Sequence, residues 1–78
     1  MDETDFLEEE WKMGRLRSIV DRTRVILASF PIRVADAYDL IEETRKEVLV
    51  LFPDKEEVYD LIYAPRFERD IRERFKMN

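Results

Sequence analysis

The stretch Met13–Phe30, MGRLRSIVDRTRVILASF, closed by Pro31, decides how the chain is read. Met13, Leu16, Ile19, Val20, Ile26, Leu27 and Phe30 recur at steps of three and four. At 3.6 residues per turn they fall on one side of a helix. Arg15, Arg17, Asp21, Arg22 and Arg24 take the other side. Such an apolar stripe has to be covered, and the remaining segments are the nearest candidates.

Upstream of this stretch, Asp2 to Glu10 holds six acids and no base, with Phe6, Leu7 and Trp11 set in or beside them. Asp5 and Glu8 have the spacing of a capping box, and acids favour a helix start, so the first helix is expected to begin near residue 4 or 5. From there to residue 30 it would be nearly 40 Å long, at about 1.5 Å per residue. A compact domain of this size has a radius of gyration of only about 12 Å. Either Gly14 breaks the helix or its first turns project. A projecting end would offer Phe6, Leu7 and Trp11 as a partner or dimer surface. The competing expectation folds these residues back over the later helices.

Downstream, the prolines punctuate. Pro31 ends the first helix and suits the first position of a second, running to about Phe52. Val34, Ala37, Tyr38, Ile41, Val48, Leu49 and Phe52 are its expected buried side. Val48–Phe52 alone would pass for a strand, but a helical context precedes it and no second strand is available for pairing. After Pro53, Asp54 and Glu57 repeat the capping-box spacing, predicting a third helix from Asp54 with Val58, Leu61 and Ile62 inward. Pro65 is expected to break or kink it. A last segment to about Lys76 places Phe67, Ile71 and Phe75 one turn apart. The sequence therefore predicts one all-α domain over 1–78: a small bundle of three to four helices with breaks at Pro31, Pro53 and Pro65 and antiparallel neighbours.

Two further patterns bear on organisation. Thr23-Arg24, Phe30-Pro31 and Tyr38-Asp39-Leu40-Ile41 parallel Thr44-Arg45, Phe52-Pro53 and Tyr59-Asp60-Leu61-Ile62. This is read either as a duplicated helical hairpin or as one helix-break problem solved twice. Charge also alternates along the chain: the acidic start is followed by five bases against one acid over Lys12–Arg24. Oppositely charged segments pair on folding, which is the ordinary expectation for such a pattern.

Composition narrows the function classes. Hydrophobic residues make up 45% and charged ones 42% of 78 residues, too apolar for intrinsic disorder. Cysteine and histidine are absent, which removes disulfides, the usual zinc ligands and the commonest general base. Ser18 and Ser29 have no base nearby in sequence, Gly14 stands alone rather than in a phosphate loop, and neither Glu-x-x-His nor Asp-x-Asp spacing occurs. No enzyme, cofactor or metal is expected. The longest apolar run, Val48–Phe52, is far too short for a membrane span, and the acidic start is unlike a signal peptide, so the expected location is the cytoplasm. Glutamine is missing and Asn78 is the only asparagine, beside abundant arginine and glutamate. That bias is expected where heat selects against labile side chains and for ion-pair networks.

Two functional expectations follow. The first is a non-enzymatic protein–protein interaction module, self-associating as a homodimer, with Phe6, Leu7 and Trp11 at the contact. The second is a small nucleic-acid-binding regulator using the arginine-rich helices, with Arg66, Arg69, Arg72 and Lys76 as the phosphate contacts.

Overall fold

The computed structural model describes residues 3–76, with side chains from residue 6 onward. Three helices follow one another: α1 (Glu3–Ser29), α2 (Val34–Leu51) and α3 (Glu56–Phe75). No strand occurs among the described residues, and Val48–Leu51 completes α2. Residue pairs fix the directions. Thr23 meets Thr44 and Lys12 lies over Phe52, so α1 and α2 run antiparallel. Arg45 meets Asp60 and Tyr38 meets Glu68, so α3 runs back along α2. Arg24 meets Asp70 across 46 residues and Arg74 meets Leu27 across 47, so α1 and α3 are parallel and in constant register.

The core is narrow. Leu16, Ile19 and Leu27 of α1, Ala37 and Val48 of α2, and Tyr59, Phe67 and Ile71 of α3 are buried together. Two threonines join them. The Thr23 and Thr44 hydroxyls lie 2.6 Å apart, and the Thr44 hydroxyl donates to the Leu40 carbonyl at 2.9 Å. Since a hydroxyl has one proton, Thr23 donates to Thr44 and both buried groups are satisfied. Met13 and Phe30, expected on the α1 stripe, are about half exposed, and Thr23 occupies its centre instead.

Four expectations about helix ends and breaks are corrected. Pro65 does not break α3, which continues through it. A mid-helix proline removes one backbone hydrogen bond and costs about 3 kcal/mol. Here Pro65 and Leu61, the residue whose carbonyl loses its donor, are both exposed. Tyr59, Tyr63, Phe67 and Ile71 then form one stripe at steps of four that ties the two halves of α3 to the core. This sets the phase of α3 and turns Val58, Leu61 and Ile62 outward, against the expected inward face. Gly14 does not break α1 either. The capping box expected at Asp54 is not formed: α3 begins two residues later, with Lys55 as an N-cap lacking a side-chain bond. Half of such a device appears at α2, which starts at Val34 rather than Pro31: the Asp36 carboxylate accepts the Arg33 backbone N–H at 3.2 Å, while the Arg33 guanidinium, a donor only, cannot return the bond. The Asp5–Glu8 capping spacing involves a side chain outside the described ones.

The helix ends and outer seams are closed by arginines. Arg74 of α3 donates to the carbonyls of Ile26 at 3.2 Å, Leu27 at 2.6 Å and Phe30, covering the open C-terminal end of α1. Glu47 of α2 accepts Arg22 at 2.5 Å and lies 3.8 Å from Arg15. Arg45 joins Asp60 and Glu56 of α3 at 3.0 and 2.5 Å.

Candidate interaction surface

The register of the three helices determines what α1 leaves uncovered. Leu51, the last residue of α2, borders a groove with Trp11, Arg15 and Ile19. Phe52 sits under Lys12, whose ammonium is 6.0 Å from the ring. With an offset of 46 residues between α1 and α3, the first residue of α3, Glu56, is level with Glu10. Both neighbours therefore stop near residues 10–12 of α1, and its first two turns extend beyond them. Phe6, Leu7 and Trp11 are 55%, 60% and 60% exposed there. The expectation that these side chains fold back over the bundle is thus not what is seen. Glu8 pairs with Lys12 at 3.7 Å. Glu9 and Glu10 have no base within 4 Å among the described residues.

The projection shows in the dimensions. The molecule measures 48 × 23 × 16 Å with a radius of gyration of 14.2 Å. Its accessible surface is 5920 Å². A compact monomer of this mass exposes about 5,000 Å². The excess, roughly 900 Å², goes with the elongated shape of the whole molecule.

Below the overhang a shallow groove of about 230 Å³ is lined by Met13, Leu16, Phe52, Val58, Ile62 and Tyr63, among others. Its outer wall is formed by Val58 and Ile62, on the apolar side that α3 turns to solvent. Sequence reasoning missed this wall. The signal was the unbroken step of four from Tyr59 to Ile71, which leaves Val58, Leu61 and Ile62 no place in the core.

Arg66, Arg69 and Arg72 lie along one side of α3 at steps of three, and Lys76 follows as its left-handed C-cap. Arg72 is engaged by Glu68 at 3.5 Å, and the Arg66 guanidinium lies 5.9 Å from the Tyr63 ring centre. Arg66 and Arg69 have no acid within 4 Å among the described residues. By the same register Arg17 of α1 is level with Tyr63 and also has no acid partner among them.

A groove of about 1010 Å³ between the C-terminal halves of α1 and α3 contains Arg24 bound to Asp70 at 2.9 Å, with Arg74 reaching across it to α1. No group of three or more acids that could hold a metal ion occurs among the described residues. Among the described residues no helix is long and apolar enough to cross a membrane. Burial pushes the Tyr59 phenol up to about 12. The Arg45 guanidinium, through its hydrogen bond, holds Asp60 below its ordinary range. Both groups sit on the α2–α3 seam and away from the overhang.

The chain matches no protein-family model, no curated protein and no solved structure.

Proposed function

We propose that the protein is a non-enzymatic helical interaction module that assembles with itself through the projecting start of α1. The observation supporting this is the overhang: two turns of helix beyond the ends of α2 and α3, with Phe6 and Leu7 exposed on them and Trp11 exposed at their base beside Leu51. An isolated helix end in water gains little from its own hydrogen bonds and most of its stability from packing. Two turns carrying three large apolar side chains are stabilised once a partner covers them.

The test is a molar mass by light scattering across a concentration series, with Phe6→Ala and Trp11→Ala together as the variant. The natural chain should give a dimer mass. The variant should move toward the monomer with unchanged helical circular dichroism. A natural chain that stays monomeric into the millimolar range would refute the reading.

Nucleic-acid binding through Arg66, Arg69, Arg72 and Lys76 is the second reading, supported by the placement of the three arginines along one side of α3 with Lys76 at its end. It requires affinity for duplex or single strands that falls steeply with salt. Binding that is absent or insensitive to salt would exclude it.

A further inference from the structure

We infer that the partner of the overhang is the same helix of a second copy, lying antiparallel across it with the two-fold axis beside Gly14. This rests on the self-association reading above and specifies its geometry. Three separate features of α1 lead to it.

The first is the glycine. Gly14 is the only one in the chain and sits in the middle of a continuous 27-residue helix. Glycine there costs roughly 1 kcal/mol relative to alanine. Its φ is not positive, and a Cβ built on it meets nothing within 4 Å. Nothing within one protomer needs the missing side chain. A second helix crossing close to the backbone at this point does.

The second is charge. The acidic half of α1, before residue 11, and the basic half, Lys12–Arg24, lie on either side of this point. Turning the helix end over end about a point between Met13 and Gly14 places Glu10 opposite Arg17 of the second copy, and Arg17 opposite its Glu10. Both residues are exposed and lack an opposite charge within 4 Å among the described residues of their own protomer. Each acidic overhang then lies along the partner's Arg17 and the neighbouring Arg66 and Arg69 of α3, which also lack acid partners there. The arginines suited to a phosphate backbone thus face carboxylates of the same protein.

The third is position. Glu10, Met13, Gly14 and Arg17 follow at steps of three, one and three, so they share one side of α1. Leu7 joins Gly14 two turns away. Across the axis Leu7 meets the region of Val20, a partly buried side chain at the edge of the core.

The experiment is sedimentation equilibrium on the full chain, its Gly14→Leu, Glu10→Arg and Arg17→Glu variants, and the double variant carrying both charge changes. Gly14→Leu should weaken the dimer at least about tenfold while leaving the protomer no less heat-stable, because leucine is the better helix former and Gly14 is open to solvent. Each single charge reversal acts twice in a two-fold dimer and should weaken it by about tenfold or more. The double variant exchanges the partners on both sides and should recover to within about threefold of the natural chain. A dimer indifferent to Gly14→Leu, or a double variant as weak as the sum of its singles, would overturn the antiparallel arrangement and leave self-association standing. A natural chain that is monomeric throughout would overturn both.

Discussion

At the scale of single residues, the buried Thr23–Thr44 contact is the most exacting feature of the bundle. Replacing Thr44 by valine keeps the shape but removes the acceptor of the Thr23 hydroxyl, 2.6 Å away and fully buried. An unsatisfied buried hydroxyl costs about 1–3 kcal/mol. Thr44→Val should therefore lower the thermal midpoint by several degrees, at about 4–8 °C per kcal/mol for a domain of this size. The double variant with Thr23→Val should recover most of the loss. Additive effects in that cycle would show that the hydroxyls are not coupled. Asp60 and Tyr59, neighbours in sequence, set the two ends of the pH range. Asp60 is held below its ordinary 3.8 by Arg45, so its contribution is present above that value and is lost as pH falls through the lowered one. Asp60→Asn should flatten the stability curve on the acid side, read from denaturant titrations between pH 5 and 2. Tyr59 has the opposite sign. Its phenol is raised from 10.0 to about 12, so the folded chain retains the proton longer, and stability falls between those values. Tyr59→Phe should remove that alkaline loss and change little at neutral pH.

Among the helices, α3 explains both what was legible and what was not. Proline punctuation at residues 31 and 53 was read locally, and both prolines lie in connections between helices. The same local logic fails at Pro65, because the outcome depends on which way the ring faces and on what the two halves of the helix share. Phe67 and Ile71 are fully buried in phase with Tyr59, and that tertiary agreement outweighs one missing hydrogen bond. A local reading of Val58, Leu61 and Ile62 has no access to this phase and places them inward. The repeat Thr-Arg … Phe-Pro … Tyr-Asp-Leu-Ile suffers similarly. Its two threonines touch each other, but Leu40 and Ile41 are half-buried while Leu61 and Ile62 are exposed, so the likeness does not extend to packing. Arg74 was legible only as one of five bases in the last segment. Its three carbonyl contacts at the end of α1 predict that Arg74→Ala costs about 2 kcal/mol, the range for charged donors, with Arg74→Lys in between because an ammonium lacks the planar fork. Equal losses for alanine and lysine would show that only the charge matters. In dilute solution, where the protomer is alone, Gly14→Ala should raise stability by about 1 kcal/mol.

For the whole molecule, length was the informative quantity. A helix of 27 residues cannot be matched by partners of 18 and 20, and the mismatch is left at its acidic end. That much follows from the spacing of apolar residues and prolines. Which side of the overhang meets a partner does not, because it depends on the register between α1 and α3 that Arg24–Asp70 reveals. If assembly covers the overhang, the folded dimer and the unfolded chain are linked by mass action. The thermal midpoint should then climb as protein concentration rises, whereas a monomer keeps one value throughout. Trp11 gives this a practical form. It is the chain's sole indole, and it stands at the base of the overhang rather than inside the bundle. If pairing covers the overhang, the emission colour of this indole shifts as the copies separate. Dilution alone then reads the assembly, without any attached dye.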